Sequence, residues 1–214
     1  MKIYDLMPSV KGLIPYDYEH IRSEEYDEII ADFFKNAKKE NVFIQISGAP
    51  GAGKTTFCKK FNNECFLSFD GIMENLPQYQ NDLQQYGSEQ AFKNHELTAR
   101  IIGYEILRRS IENGYKLILE HSGVNSAHLE LFEKLREMGY KTKIYFILCE
   151  IKKSLQRAKT REKYTHRHTP EEMIQKRFCL LNEYIEKYIK IADEVDIYDT
   201  SEDIYVLKNH FCCL

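Results

Sequence analysis

No stretch of this sequence approaches the roughly 20 consecutive apolar residues that a bilayer-spanning helix requires, so no membrane partner is expected. With 10 glycines and 5 prolines in 214 residues, it is too poor in both to be collagen-like or disordered. Tryptophan is absent, yet 15 tyrosines, 12 phenylalanines and a hydrophobic content of 43% leave ample material for one buried core. Neither sign of charge dominates: 30 Lys and Arg face 33 Asp and Glu, for a net charge of -3. That balance disfavours nucleic acid as a partner held by overall charge. The opening Met1-Lys-Ile-Tyr-Asp5 does not look like a secretory leader, and a cytoplasmic protein is expected.

Metal-ligand spacing is lacking among Cys58, Cys65, Cys149, Cys179, Cys212 and Cys213. Several lie inside apolar runs, as free thiols buried like small hydrophobes do, in a reducing compartment. The terminal Phe211-Cys-Cys-Leu214 fails as a prenylation signal, because the fourth position from the end is Phe211.

The sequence does contain an alternation of short apolar runs and amphipathic stretches. Residues 1–22 show no sustained period and read as an irregular arm, followed by a helix from Ser23 to about Lys39. Strands are expected at Val42–Ser47, Cys65–Phe69, Lys116–Glu120, Lys143–Leu148 and Val195–Tyr198. Helices fall between them, from about Gly53, from Ser88 to about Asn113, and between Asn125 and Gly139. Two more bracket a basic loop around Arg161–His168, the second opening on Thr169 as its cap with Pro170 at the first helical position. Strands of this length alternating with helices require crossover connections. The expected architecture is α/β, a doubly wound and mostly parallel five-stranded sheet, with residues 1–40 as an arm and 41–214 as the main domain.

Gly48-Ala-Pro-Gly-Ala-Gly-Lys-Thr55 fits G-x-x-x-x-G-K-[ST] at every specified position. Glycines allow the backbone to curl so that successive N–H groups face phosphate oxygens. Lys54 supplies a point charge for the β- and γ-phosphates and the Thr55 hydroxyl a ligand for Mg²⁺. Gly48, Ala49, Pro50, Gly51, Ala52, Gly53, Lys54, Thr55 and Thr56 are therefore the candidate ATP-binding residues. A preceding apolar strand and a following helix are the context this loop needs.

Open parallel sheets bind ligands at the carboxyl ends of their strands. Asp70 and Glu120 close the second and third strands on that rim. Transfer of phosphate to an alcohol needs a carboxylate to orient or deprotonate the hydroxyl, assigned to Asp70, and an acid on the metal side, assigned with Thr55 to Glu120. The segment Arg157–Thr169 is the one dense basic block after the fourth strand. Arg161 and Arg167 are its candidate phosphate contacts in a helical lid. His166-x-His168 lacks a third metal ligand nearby, and His121 is open to two readings, a substrate contact or packing.

Over about residues 42–180 the sequence resembles the zeta-toxin/PezT group of P-loop kinases, which phosphorylate UDP-activated N-acetylglucosamine-type sugars. The similarity rests on Gly48–Thr55, Asp70 with Leu76-Pro-Gln-Tyr79 and Tyr86-Gly87, Ala99, Gly114–Glu120, Gly139-Tyr140 and Arg167–Pro170. It implies ATP and Mg²⁺ at Lys54 and Thr55, Asp70 as base toward a sugar hydroxyl, Arg161 and Arg167 on phosphates, and an antitoxin as protein partner. Two departures stand out. Where the family has Glu-Gly-Thr-x-Arg, this chain has Glu120-His-Ser-Gly-Val124, and Met73-Glu74 replaces a basic residue after Asp70. An acid in place of a base disfavours a diphosphate on that side of the pocket. The expected activity is transfer of the ATP γ-phosphate to a hydroxyl of a sugar or nucleotide-sugar. The alternatives are an ATP-binding regulatory protein without efficient transfer and a kinase of nucleic-acid 5′ ends.

Overall fold

The computed structural model describes residues 1–15, 24–61, 64–165 and 168–212. β1 (Val42–Ser47), β2 (Phe66–Ser68), β3 (Leu117–Glu120), β4 (Lys141–Leu148) and β5 (Glu194–Asp199) run parallel, in the order β2-β3-β1-β4-β5. Both faces of this sheet are covered. Phe43 points into one apolar cluster with Leu117 and Phe146, while Ile44 and Ile46 point into another with Phe57 and Ile147. A strand buried on both sides has no polar face, which is why these strands read as continuous apolar runs.

A sixth strand, β6 (Val206–Cys212), was not expected. It lies antiparallel at the sheet edge, paired with β5. Its residues are mostly exposed and include Lys208, Asn209 and His210, so no apolar alternation marks it; its pairing comes from the edge that β5 offers.

The helices are α1 (Ile3–Leu6), α2 (Glu24–Phe33), α3 (Lys54–Cys58), α4 (Phe69–Glu74), α5 (Pro77–Tyr86), α6 (Ser88–Glu112), α7 (Ser126–Glu137), α8 (Ile151–Thr165) and α9 (Glu171–Ile191). The long α6 is closed at Gly114, φ 70°, and α7 at Gly139, φ 75°, both in the left-handed region where glycine is favoured. Asn125 caps α7 by accepting the His128 N–H at 3.0 Å. The chain 1–15 is ordered and carries structure: α1 and a 3₁₀ turn at Pro8–Gly12 bury Ile3, Leu6, Met7, Val10 and Ile14 in the same core as Phe43. Ser9 N–H donates to Glu130 at 2.7 Å and Arg108 to the Met1 carbonyl at 2.9 Å, tying that segment to α7 and α6. None of the helices among the described residues is long and apolar enough to cross a membrane.

Candidate active site

β1 ends at Ser47, and the chain turns through Gly48–Gly53 into α3. Gly48, Gly51 and Gly53 take φ of 147°, 84° and 99°. A Cβ on Gly48 would stand 2.3 Å from the Ile147 carbonyl oxygen, and one on Gly51 2.1 Å from that of Ser154. Only glycine fits this turn, which keeps the curvature that a phosphate cradle needs. The loop is fastened from the β5–β6 side: Thr200 Oγ1 donates to the Ala52 carbonyl at 2.8 Å and the Tyr205 hydroxyl to that of Gly53 at 2.7 Å. Lys54 Nζ crosses the turn and donates to the Gly48 and Ala49 carbonyls at 3.0 and 3.1 Å. Burial lowers its pKa to about 8, with Glu120 holding it up, Arg177 pressing it down and Asp70 again supporting the charge.

Glu120 ends β3 as expected. Its Oε1 accepts the Thr55 hydroxyl at 3.0 Å, whereas its buried Oε2 has no hydrogen-bond partner among the described residues. Buried carboxylate oxygens are rarely left so. An orphaned carboxylate oxygen beside a threonine hydroxyl suits a hard divalent cation, so the donor set fits Mg²⁺ held by Thr55 and Glu120.

Asp70 stands one element later than expected. β2 stops at Ser68, whose hydroxyl accepts the Gly71 N–H at 3.3 Å and caps α4, so Asp70 is in the first turn of that helix and exposed. The helix is seated by Phe69, which packs edge-on to Tyr104 at 4.9 Å and over Gly103, where a Cβ would lie 2.3 Å from the ring. The hydrogen bond that Ser68 accepts from Gly71 and the room at Gly103 are what turn the chain from strand to helix here.

Arg161 lies within α8, not in a loop, and its Nη2 donates to Thr169 Oγ1 at 2.9 Å. Thr169 therefore does not cap α9; the cap position is Pro170, without a side-chain hydrogen bond. Arg157, four residues earlier, faces elsewhere: it donates to the Thr200 carbonyl at 2.8 Å and pairs with Asp203 at 2.5 Å, pinning the β5–β6 turn. Arg167 and His166 lie outside the described residues.

Lys54, Asp70, Glu120 and Arg161 line one cleft of about 610 Å³. Two residues that sequence reasoning missed join them, Arg100 of α6 and Arg177 of α9. Arg100 is ion-paired with Glu96 and donates to the Leu13 carbonyl at 2.8 Å, bringing the N-terminal segment to the cleft wall. Burial lowers the Arg177 guanidinium, while Asp70 and Glu96 oppose that shift. One signal was available: Arg177 interrupts the apolar stripe of Ile174, Leu181 and Ile185 at helical spacing. Val124, standing where the family has arginine, also lines the cleft, whereas Glu74 does not. The cationic groups of this wall come from α6 and α9 instead.

His121 is part of a buried network. It stacks on His128 at 3.8 Å between ring centroids and 6° between planes, and its Nδ1 accepts the Gly123 N–H at 3.1 Å. His128 Nδ1 bonds Gln45 Oε1 at 2.9 Å. Burial lowers His121 well below its ordinary range and His128 to about 3, so both rings are neutral at pH 7. With Nδ1 accepting, the His121 proton resides on Nε2.

A zeta toxin family model matches residues 25–210. The chain belongs to the zeta toxin family. It is accordingly an ATP-dependent kinase of the P-loop class. Among solved structures, a chain from the PezAT chromosomal toxin-antitoxin system of Streptococcus pneumoniae has a TM-score of 0.69 at 18% identity, over 98% of this chain and 84% of that one. An AvrRxo1-ORF1:AvrRxo1-ORF2 complex with ATP reaches a TM-score of 0.68 at 12% identity, over 86% of this zeta toxin chain and 65% of the other. A putative kinase from Chloroflexus aurantiacus gives 0.50 at 16% identity, over 78% and 92%. These likenesses establish the fold that the family shares. Direct sequence comparison with curated proteins finds no match.

Proposed function

We propose that this zeta toxin family member transfers the γ-phosphate of ATP to a hydroxyl of a sugar or nucleotide-sugar, with Asp70 as the base. The observation that carries this is the convergence of an exposed carboxylate, Asp70, on the cleft that also holds Lys54, Glu120 and Arg161. A nucleotide switch needs no carboxylate in that position; a kinase does. Asp70 takes the acceptor's hydroxyl proton, the freed oxygen bonds to the γ-phosphorus, and the bond to the β–γ bridging oxygen breaks, leaving ADP. Lys54 and Arg161 neutralise charge that spreads over the transferring group, and Arg167 is assigned the same task from the family resemblance. Gly48 to Thr56 hold the triphosphate. Mg²⁺, held by Thr55 and Glu120, would screen the β- and γ-phosphate charge.

Arg100 and Arg177 support an acceptor that carries negative charge or several hydroxyls, in keeping with a UDP-sugar. An antitoxin protein as partner, a cytoplasmic location, and a single compact domain in which an arm at 1–40 joins the kinase domain at 41–214 belong to the same proposal. The test is a screen with labelled ATP against UDP-sugars, nucleosides and RNA 5′ ends. Label on a sugar or nucleotide-sugar supports the assignment; label on RNA ends alone overturns it.

A further inference from the structure

A second chemical cluster lies on the opposite end of the sheet from the P-loop. Strand pairing sets Glu194 against Cys212 and Asp196 against His210, near the amino end of β5, whereas the cradle follows the carboxyl end of β1. Cys212 is exposed. Its Sγ lies 3.0 Å from His210 Nε2, and His210 Nδ1 is hydrogen-bonded to Asp196 Oδ1. Asp196 is buried, and its other oxygen accepts from Lys143 Nζ at 3.0 Å. Among the described residues, the neighbouring charged groups have partners of their own. Glu194 pairs with Lys143 at 2.9 Å and Lys141 at 3.1 Å, and the Lys60 ammonium, stacked on the Phe57 ring at 3.8 Å, also feels Asp196.

The order thiol, imidazole, buried carboxylate is that of an activated nucleophile. Asp196 accepts the Nδ1 proton, which leaves the Nε2 lone pair to face the Cys212 thiol. The anchored carboxylate distinguishes this arrangement from an exposed cysteine that merely neighbours a histidine, since Lys143 holds Asp196 and Asp196 orients the ring.

We propose that Cys212 is a nucleophilic thiol that exchanges with low-molecular-weight disulfides, with His210 as its base and Asp196 as a positioning residue. The thiol proton passes to His210 Nε2 and the sulfur attacks one sulfur of the disulfide. The disulfide bond breaks, and its other half leaves as a thiolate that takes a proton from the imidazolium. Cys212 ends as a mixed disulfide, oxidised by the small molecule, which is reduced to one thiol. The site is independent of the kinase cleft.

The test uses the full chain carrying Cys213→Ser, which removes the adjacent thiol, with dithiodipyridine at pH 7 and modification followed per peptide by mass spectrometry. Cys179 is the exposed internal reference. An ordinary thiol is only a few per cent thiolate at this pH, so general-base assistance should make Cys212 react about tenfold faster than Cys179. His210→Gln should bring the two rates within about twofold. Asp196→Asn should slow Cys212, and Asp196→Glu should restore part of the rate, which a purely structural role would not predict. Equal rates in the unsubstituted pair, or a Cys212 rate untouched by His210→Gln, would overturn the proposal. Reaction of buried Cys58, Cys65 and Cys149 reports loss of fold in a variant; the Cys212 to Cys179 ratio with His210 and Asp196 intact then decides alone.

Discussion

At pH 8 the Lys54 ammonium is about half deprotonated in the nucleotide-free protein, because burial lowers its pKa to about 8. Phosphates favour the charged form, so binding ATP at that pH should take up about half a proton. Calorimetry in two buffers of different ionisation enthalpy measures this uptake, and Lys54→Met should remove it. The stability sign follows from the same shift. The unfolded chain, with Lys near 10.5, binds more protons between about 8 and 10.5 than the folded one, so this group's burden on the fold lessens as pH rises through that window. The histidine pair acts at acid pH. Its folded-state values are depressed, His128 to about 3 from 6.5, so the unfolded state binds more protons between those values and stability falls as pH drops through them. The slope from His128 is at most about 1.4 kcal/mol per pH unit, and urea titrations at pH 4 to 7 should show a shallower slope in His128→Gln. Asp70→Asn should reduce transfer to the true acceptor by roughly 10²–10⁴-fold with ATP affinity retained. Unchanged transfer in that variant, measured with the labelled product, removes Asp70 as base.

Two glycines matter through the elements they join. Gly51 combines φ 84° with a Cβ position 2.1 Å from the Ser154 carbonyl oxygen at the start of α8. Gly51→Ala should therefore cost about 1–3 kcal/mol and open the loop, with calorimetry registering loss of ATP uptake. Gly103 is different: it lies within α6 with ordinary helical backbone, and the obstacle is the Phe69 ring at 2.3 Å. Gly103→Ala overpacks the joint between α4 and α6 by about 1–3 kcal/mol and displaces Asp70, the neighbour of Phe69. Turnover should fall more than ATP affinity; an equal fall in both would show that α4 does not carry the acceptor side. The elements themselves differed in how openly they were written. α6 and α7 carry apolar periodicity and glycine stops, so their limits were readable to within a residue or two. α4 follows β2 without a break, because Ser68, Phe69 and Asp70 suit either a strand end or a helix start, and the Ser68 cap and the space at Gly103 chose the helix.

At the scale of the molecule, the N-terminal segment is a structural wall of the cleft. Its five apolar anchors, Ile3, Leu6, Met7, Val10 and Ile14, are at most 2% exposed. At about 1.5–3 kcal/mol each they contribute on the order of 10 kcal/mol, comparable with the whole stability of a typical domain. A chain beginning at Tyr16 should lack a cooperative thermal transition by circular dichroism. A transition within a few degrees of the full chain would show the segment to be an accessory. Ile3, Leu6, Val10 and Ile14 stand three or four residues apart, but Pro8, Gly12 and Pro15 break the run into a four-residue helix and a 3₁₀ turn, and for that reason the segment looked irregular when read along the sequence.

The sequence by itself determined the glycine turn after β1, the alternation of strands and helices and the carboxylate at the end of β3, because each depends on near neighbours in the chain: glycine φ values, apolar runs of strand length and a strand terminus. The tertiary structure alone decided that Arg100 and Arg177, from helices far apart in the chain, share a cleft with Asp70. It also decided that Arg157 turns to Asp203 while Arg161 turns to Thr169, and that Cys212 meets His210 and Asp196 at a sheet edge. Long polar side chains take their partners from whatever the packed core brings near, and no local pattern encodes that choice.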